Sequence, residues 1–415
     1  MSGAMHGGDE VGALVFDFGS YSLRGGFAGE DLPKLDIPSV AGVIEVLDET
    51  KSKRYVVGNN VTFPVRGKEL LPLMKDCMID DWDLFEKIVE HMLRNLTPYE
   101  TTCHPILFSE PAWNTKAKRE KLAEILFEKF DVPAAFVAKN AVLSCFSNGR
   151  ATGLVIDSGA TYTSTVPVYD GHVLTQGIMR SPLAGDFIVR QTQKYLEAQK
   201  IEPVPIYKVA SKEFVKSGEK PRWTIKPNLP QVTDSFHRYM VKSLMQDFAA
   251  SVYQVADDKY NETQADNLPT VSYDFPNGYS IDVGHERFQI PEALFDPSIL
   301  PESMGNSMLS MSHIVSSSIS MCDMDVRSNL YNNVLIVGGN SLLFGFPERL
   351  QKDLNNKTPQ SMRLKVNFVN ISAERRYSSW IGGSVMGSLG TFQQMWTSKQ
   401  EYKEFGKSCI EKKCV

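Results

Sequence analysis

The stretch that decides the fold is GLVIDSGATYTSTVPVYDG, residues 153–171. Residues 154–156 are apolar strand formers, and Asp157, Ser158 and Gly159 then interrupt the run with a residue type that permits close approach to the backbone. This order predicts two antiparallel strands joined by a tight turn. The amides and hydroxyls of such a turn can bind an anion, and Asp157 can hold a hydrated cation beside it. An ordinary surface turn is the alternative.

The same plan occurs near the N-terminus, in LVFDFGSYSLRGGFAG, residues 14–29. An apolar strand ends in Asp17, one residue separates Asp17 from Gly19, and a second strand follows. Aligning Asp17 with Asp157 also aligns Gly19 with Gly159. This self-similarity predicts two related halves, whose hairpins face each other and hold a phosphate chain from both sides.

A third element lies near the C-terminus, where the apolar run VLIV at residues 334–337 is followed by Gly338, Gly339, Asn340 and Ser341 and then by a helix-like segment. A strand, a glycine turn and a helix N-terminus favour an anion, or a flat ring packed on bare backbone. A single Gly-Gly pair is as readily a packing feature. Three such elements in one chain favour a binding site.

The composition describes a globular chain. With 415 residues, of which 42% are hydrophobic and 22% charged, the chain is too long for one core and suits two lobes. A formal charge of −5 argues against an electrostatic grip on bare DNA. No signal-type segment and no run approaching about 18 apolar residues occurs, so we expect no membrane contact. The six cysteines lack short C-x-x-C pairing, which predicts reduced, intracellular thiols and no zinc site.

Longer motifs carry a resemblance to a known family. They are ERFQIPEALFDP at 286–297, MCDMDVRSNLY at 321–331, VGGNSLL at 337–343 and, above all, WIGGSVMGSLGTFQQMWTSKQEY at 380–402. Together with the two hairpins, they make the chain resemble the actin superfamily from end to end. The resemblance implies an α/β, actin-like fold of the sugar kinase and heat-shock ATPase type, with a nucleotide cleft between two duplicated lobes.

Three other segments narrow the resemblance. They are GGDEVGALVFDFGSY at 7–21, EPAWNTKAKREKL at 110–122 and SPLAGDFI at 181–188. They are most similar to the nuclear actin-related subunits of chromatin-remodelling and histone-acetylating complexes, the actin-related protein four (actin-like six) group. This implies a nuclear protein that supports chromatin remodelling and transcription regulation. Because the chain is acidic, we expect any nucleosome contact to be indirect.

The resemblance also divides the chain. We expect a flexible N-terminus at 1–10, a first lobe at 11–147 plus 343–415, and a second lobe at 148–342. The segment 201–232 departs from actin, and its five prolines and many lysines predict an inserted surface excursion, used for partner contacts or neutral.

ATP with Mg²⁺ is the cofactor that the resemblance implies. The residues expected to bind the nucleotide are Asp17, Gly19, Ser20, Arg24, Asp157, Ser158, Gly159, Gln246, Gly338 and Gly339, with Asp17 and Asp157 also holding Mg²⁺ through water. Some positions depart from actin. Tyr21 replaces a glycine of the first hairpin, Arg24 replaces a lysine, and Met245 and Gln246 stand near positions where actin supplies a lysine and a glutamate to the nucleoside.

Hydrolysis requires an aligned water whose proton is accepted, and two positions for that task are altered. Ala160 stands where actin carries a second aspartate, and Asn140 replaces a glutamine that helps to orient the water. Alanine cannot hold a metal-bound water, and asparagine is one methylene shorter than glutamine. We therefore assign no catalytic residue and expect ATP binding with little or no hydrolysis, hence no enzyme.

The motif at 380–402 also implies a partner surface. In actin this region helps to form a cleft where helices of other proteins dock, and the matching residues are Phe146, Val385, Met386 and Leu389. An apolar, Met-containing groove suits an amphipathic helix, although plain core residues are the alternative. The implied partners are monomeric actin, the helicase–SANT-associated helix of a remodelling ATPase, and other remodelling and acetyltransferase subunits.

Two other functions remain for this fold. A filament-forming cytoskeletal actin-like ATPase is disfavoured by the lost similarity at 44–60, where actin has the loop that grips the next subunit, so we expect no long filaments. An active phosphotransferase or ATPase is disfavoured by Ala160 and Asn140. Basic residues 116–121 on a predicted helix are either a nuclear-import patch or, as we prefer, a solvated face.

Overall fold

The computed structural model describes residues 12–46, 52–98, 103–300 and 308–414. Within these residues the chain forms two α/β lobes, each with a mixed six-stranded sheet. The predicted α/β fold is confirmed, and the predicted flexible N-terminus lies outside the described residues. No helix in the described part is long and apolar enough to cross a membrane.

The strands differ widely in length, from two to seven residues. In chain order they are β1 (Leu14–Phe18), β2 (Ser22–Phe27), β3 (Leu35–Pro38), β4 (Val40–Glu45), β5 (Lys53–Val56), β6 (Lys68–Pro72), β7 (Met74–Lys75), β8 (Met78–Ile79), β9 (Ile106–Glu110), β10 (Ala134–Lys139), β11 (Gly153–Ser158), β12 (Thr163–Tyr169), β13 (His172–Val173), β14 (Met179–Ser181), β15 (Val209–Glu213), β16 (Arg222–Ile225), β17 (Val271–Asp274), β18 (Ser280–Val283), β19 (Val334–Val337), β20 (Val366–Asn367) and β21 (Thr397–Ser398).

The helices lie between and outside these strands. They are α1 (Trp82–Leu96), α2 (Lys116–Glu124), α3 (Asn140–Ser147), α4 (Gly185–Ala198), α5 (Asp234–Val252), α6 (Glu262–Ala265), α7 (Glu286–Glu292), α8 (Met311–Ser320), α9 (Met324–Tyr331), α10 (Phe346–Lys357), α11 (Ser372–Arg376), α12 (Ser378–Ser388), α13 (Lys399–Phe405) and α14 (Cys409–Lys413). A π-helical turn, Ile125–Lys129, continues α2.

The two large sheets share one plan, as the internal repeat predicts. The first has the order β21-β10-β9-β1-β2-β3, and the second the order β13-β12-β11-β19-β20 with β14 beside β12. In each sheet the hairpin (β1–β2 or β11–β12) is antiparallel, and its first strand runs parallel to the next strand inward, β9 or β19. Parallel neighbours end at the same sheet edge, so each hairpin turn lies beside the end of that strand.

The predicted return to the first lobe at residue 343 is too early. Phe346 and Leu350 of α10 are fully buried in the core of the second lobe, and β20 pairs with β19. The chain is back in the first lobe at α12, where the fully buried Trp380 donates a hydrogen bond to the carbonyl of Val15 at 3.0 Å. A Cβ on Gly382 of the same helix would lie 1.7 Å from the carbonyl oxygen of Leu143, so only glycine lets α12 approach α3 this closely.

The helix predicted for residues 116–121 is confirmed as α2, with one correction. The apolar face of α1 is buried, and Thr115 caps α2 by accepting a hydrogen bond from the amide of Lys118. Arg119 is not on the solvated face. It is buried and pairs with Glu110 at 2.6 Å and with Glu411 at 3.2 Å, because a buried guanidinium needs carboxylate partners.

The segment 201–232 is only partly a surface excursion. Val204, Tyr207 and Val215 are buried, whereas the hairpin β15–β16 is largely exposed. The prolines mark the ends of its extended pieces, but they do not reveal that apolar residues between them pack against the rest of the protein.

An interlobe cluster connects the lobes across the cleft. It joins Val61 and Leu70 of the first lobe to Tyr207, Phe236 and Met240 of the second. The adjacent backbones are also linked, because the amide of Leu70 donates to the hydroxyl of Ser235 at 2.9 Å, and the hydroxyl of Thr233 donates to the carbonyl of Lys68 at 2.6 Å.

Lys68 completes this connection from inside. Its side chain is fully buried, and its Nζ donates to the carbonyl of Val61 at 2.7 Å and also to that of Phe63. The ammonium lies 4.8 Å from the centre of the Phe236 ring, within reach of a cation–π interaction. The ends of β6 and α5 are therefore held together by apolar packing and by hydrogen bonds.

Candidate functional site

A cavity of about 660 Å³ lies between the lobes and receives residues from both hairpins. Nine of the ten residues predicted to bind the nucleotide line it: Asp17, Gly19, Ser20, Arg24, Asp157, Gly159, Gln246, Gly338 and Gly339. They come from the two hairpins and their turns, from α5 and from the turn after β19. Sequence reasoning thus places them in one site, although their roles stay predictions.

The two hairpin turns are built alike. The amide of Gly19 donates to the carbonyl of Ser22 at 3.0 Å, and the amide of Gly159 donates to the carbonyl of Tyr162 at 3.1 Å. The residues inside the turns also line the cavity; they are Ser20 and Tyr21 in the first turn and Ala160 and Thr161 in the second. The duplicated turns therefore present matching backbone to the same space.

The carboxylates of the two hairpins differ in their surroundings. Asp17 accepts hydrogen bonds from Arg24 Nη1 at 2.9 Å and from the hydroxyl of Ser109 at 2.5 Å. Burial and, to a smaller extent, the negative charge of Asp17 raise the pKa of Asp157 to about 6, and the positive charge of Arg24 opposes this rise. Two carboxylates in a confined space favour a bound cation, which would relieve their repulsion.

Ser158 does not line this cavity. Its side chain is fully buried, lies 2.9 Å from the hydroxyl of Thr163 and accepts a hydrogen bond from the Asn340 side chain at 3.0 Å. Successive residues of a strand point to opposite faces, so Asp157 faces the cavity and Ser158 faces away. The predicted contact of the Ser158 hydroxyl with phosphate is therefore wrong, and this hydroxyl instead ties β11 to the glycine turn.

Gly338 closes the wall beside the second hairpin. It has φ +93°, and a Cβ there would lie 2.4 Å from Asp157 Oδ1. Gly339 is different, because its Cβ would meet nothing nearer than Arg376 Nε at 3.9 Å. The bare backbone of Gly339 therefore leaves open space in the cavity. A 3₁₀ turn, Gly339–Leu342, comes first, and the predicted helical segment follows it as α10.

Sequence reasoning missed several lining residues, among them Ser109, Gly185, Arg375, Arg376 and Ser379. The buried Arg375 Nε and Ser379 hydroxyl have no hydrogen-bond partner among the described residues. Because buried polar groups are normally paired, these two atoms are suited to hydrogen-bond a polar ligand in the cavity. The doubled arginine before WIGG was the available signal. Met245, by contrast, is fully buried in the second lobe's core, and its neighbour Gln246 lines the wall.

Tyr21 does not disturb the first hairpin. Its side chain is 47% exposed, and its ring centre lies 5.6 Å from the guanidinium carbon of Arg376. The hydrogen bond from the amide of Gly19 to the carbonyl of Ser22, which closes the turn, is present despite the tyrosine. The bulk of the tyrosine is therefore directed along the rim of the cavity towards Arg376.

The two residues expected to impair hydrolysis both line the cavity. Asn140 is the first residue of α3, and Ala160 lies in the second hairpin turn. The carbonyl of Ala160 accepts a hydrogen bond from the amide of Asp186 at 2.7 Å, which fixes the turn against the start of α4. A methyl group stands at this point of the wall, and it can neither accept a proton nor hold a water.

The four groove residues lie at or near the surface of α3 and α12. Val385 and Leu389 are 41% and 45% exposed, whereas Phe146 and Met386 are half-buried against core clusters. Val385 lines a second cavity of about 410 Å³, together with Leu32, Ile371 and Ile381. The core alternative is therefore wrong for Leu389.

Comparison with known proteins agrees with this architecture. The sequence profile of the actin family matches residues 8–415. The chain is 39% identical to "Actin-related protein 4" of Arabidopsis thaliana, over 99% of this chain and 100% of the relative. It is 38% identical to the protein of that name from Yarrowia lipolytica, over 99% and 97%, and 33% identical to that from Schizosaccharomyces pombe, over 100% of both. The chain therefore belongs to the actin family, among the actin-related proteins of the actin-related protein 4 type.

Proposed function

We propose that this chain is a nuclear, nucleotide-holding scaffold subunit of SWI/SNF-type chromatin-remodelling and histone acetyltransferase complexes. It binds ATP with little or no hydrolysis, and it pairs with monomeric actin on the helicase–SANT-associated helix of a remodelling ATPase. One observation carries the proposal. The interlobe cavity combines duplicated turns and two carboxylates with Ala160 and Asn140 at the positions where hydrolysis needs other side chains.

The cavity wall fits a nucleotide. The turns of both hairpins supply backbone amides for phosphate, and Arg24 adds a positive charge that is partly neutralised by Asp17. The bare backbone at Gly339 leaves room for a flat base, and Arg375 Nε and the Ser379 hydroxyl have unused hydrogen-bonding capacity. Gln246 lies in the same wall and can donate to or accept from a polar ligand.

Mg²⁺ suits the two carboxylates. Asp17 and Asp157 are hard oxygen ligands, and this ion usually keeps several waters, which agrees with binding through water. When bound, Mg²⁺ would neutralise phosphate charge. The protein's own contribution is to keep Asp17 oriented through Arg24 and Ser109 and to place Asp157 in the same cavity wall.

The residues of the same wall favour slow hydrolysis of bound ATP. Ala160 and Asn140 leave the site without the side chains that would place a water and accept its proton. The interlobe cluster holds the lobes together across the cleft. Bound nucleotide would then act as part of the folded structure, adding stability by mass action.

The partner part of the proposal rests on surface chemistry. Val385 and Leu389 are exposed apolar residues at the end of α12, and Leu32 and Ile371 are exposed close to the cavity that Val385 lines. Exposed aliphatic side chains of this kind suit the apolar face of a helix. The formal charge of −5 supports recruitment to chromatin through proteins rather than through DNA.

Two measurements on the native protein test the proposal. Nucleotide released from the denatured, purified protein should be ATP rather than ADP. A tagged copy purified from nuclear extract should bring down actin and a remodelling ATPase, and a copy carrying Met324→Asp, an exposed residue on a different helix, should do the same. Absence of any adenine nucleotide, or of these partners, would contradict the corresponding half.

A further inference from the structure

The exposed hairpin β15–β16 and the turn before it carry an unusual concentration of apolar side chains. Ile206, Phe214 and Ile225 are 65%, 68% and 62% exposed. A single exposed apolar residue needs no explanation, whereas several in one short segment indicate a contact surface. The pairing of Val209 with Ile225 brings the start and the end of this segment together.

The same segment is strongly basic. Residues 206–226 contain six basic and two acidic residues, a net charge of +4 in a chain whose total is −5. Arg222 pairs with Glu213 at 3.3 Å. Among the described residues no ion pair is made by the five lysines, which are Lys208, Lys212, Lys216, Lys220 and Lys226. Their charge is therefore available to an acidic partner.

The hairpin also has an open edge. Within the described ranges β16 pairs with β15 alone. The amide of Lys226 donates to the carbonyl of Lys208 at 2.9 Å, so residue 226 faces β15. Because neighbouring residues of a strand alternate, the amides and carbonyls of Trp223 and Ile225 face outward. An open edge of this kind accepts a further strand.

We propose that the β16 edge, with the lysines and apolar side chains around it, binds an extended acidic segment of a partner protein. Backbone groups of Trp223 and Ile225 would pair with the added strand, its carboxylates would meet the unpaired lysines, and its apolar side chains would pack on Ile225 and Phe214. DNA is the other polyanion to weigh, and the exposed apolar residues disfavour it, since phosphates gain nothing from them. The inference does not depend on nucleotide binding.

Lys212 and Phe214 fit this use. The Lys212 ammonium lies 4.8 Å from the centre of the Phe214 ring, and Lys212 pairs across the hairpin with Trp223. The lysine stem and the two aromatic side chains therefore form a half-exposed apolar surface that keeps its charge at the solvent. Such a surface suits a peptide in which acidic and apolar residues alternate.

The test uses the full-length protein and a labelled peptide in which glutamate alternates with valine. We expect saturable binding by fluorescence anisotropy, and about tenfold weaker binding after combined Lys212→Glu and Lys226→Glu. The matched control reverses two exposed lysines elsewhere, Lys357→Glu with Lys403→Glu, and should bind as the unmodified protein does. Equal loss in both variants, or equal affinity for a lysine–valine peptide, would overturn the proposal.

Hydrogen exchange tests the strand pairing. Peptide binding should slow exchange of the amides of Trp223 and Ile225 while leaving those of α10 unchanged. Phe214→Ser should weaken binding without altering the fold, because this side chain is mostly exposed. Unchanged exchange in β16 at saturating peptide would exclude an added strand. Duplex DNA that binds the hairpin more tightly than the peptide would overturn the choice of partner.

Discussion

Gly338 stands so close to Asp157 that a Cβ on residue 338 would lie 2.4 Å from the carboxylate Oδ1. The glycine turn after β19 is therefore packed directly on the second hairpin, and the two are one wall of the cavity. The positive φ of Gly338 is a second reason for glycine, since other residues are strained there.

Comparing Gly338→Ala with a control variant should separate the effect of close packing on Asp157 from the effect of the positive φ. The methyl group must displace both Asp157 and the Ser158 backbone, so we expect loss of Mg²⁺-nucleotide affinity in addition to a backbone cost of at least about 1 kcal/mol. Gly149→Ala is the matched control, because Gly149 also has positive φ but a Cβ there would meet nothing within 4 Å. Titration with a fluorescent ATP analogue should show wild-type affinity in the control. Equal affinity in both variants would contradict the packing argument.

Asp157→Asn should stabilise the nucleotide-free protein at neutral pH. The folded-state pKa of about 6 lies above the ordinary value of 3.8, so the folded protein holds a proton that the unfolded chain has released. Stability therefore falls as pH rises from about 4 to 6 and stays at its lower level above that range. Removing the charge should raise the unfolding free energy by about 2 kcal/mol at pH 7.5.

The pH dependence provides the control for this variant. In thermal denaturation the gain should shrink towards pH 4.5, where wild-type Asp157 is protonated. The asparagine protein should also lose the stabilisation that Mg²⁺ and ATP give the wild type. A variant that is less stable than wild type at pH 7.5 without nucleotide would show that Asp157 is not a strained carboxylate.

The interlobe cluster should control nucleotide release. Phe236→Ala removes the ring that contacts Tyr207 and Lys68. We therefore expect the free energy of unfolding to fall by roughly 3–5 kcal/mol and bound nucleotide to dissociate about tenfold faster. Phe275→Ala is the control, because Phe275 is equally buried but lies in the core of the second lobe alone. Stopped-flow displacement of a fluorescent nucleotide measures the rates. Equal release from both variants would contradict a role for the cluster.

Val385→Asp should release the protein from the remodelling-ATPase helix. Val385 is exposed enough for the aspartate to leave the fold intact, while its carboxylate would be unpaired in an apolar contact. Met386 and Phe146, which the resemblance also assigns to this surface, are half-buried, and an aspartate there would disturb the core as well. Met324→Asp serves as the exposed control. A pull-down with the isolated helix would refute this surface if Val385→Asp bound as tightly as the control.

Local patterns predicted much of the fold and the site. Repeated strand–Asp–x–Gly stretches placed Asp17, Gly19, Asp157 and Gly159 around one cavity, because a hairpin and its turn are determined by neighbouring residues. Even the error at Ser158 had a local signal, since strand alternation turns it away from the side of Asp157.

Contacts between distant segments could not be predicted in this way. Lys68 and Phe236 belong to different lobes, and the sequence around neither residue indicates that the two are in contact. Ser109 donates its hydrogen bond to Asp17 from another strand. In 201–232 the prolines suggested an exposed segment and gave no sign that Tyr207 is buried. The boundary at 343 failed for the same reason, because burial of α10 depends on the second lobe's core.

The central claim is that the site holds ATP without hydrolysing it, and a single-turnover assay with γ-labelled ATP tests it most directly. Restoring the side chains that water alignment needs, with Ala160→Asp and Asn140→Gln together, should release phosphate at least about tenfold faster than the wild type. Asn148→Gln, at the other end of α3, is the control. The account predicts intact ATP on the wild-type protein when the double variant has turned over, whereas equal phosphate release by both would contradict it.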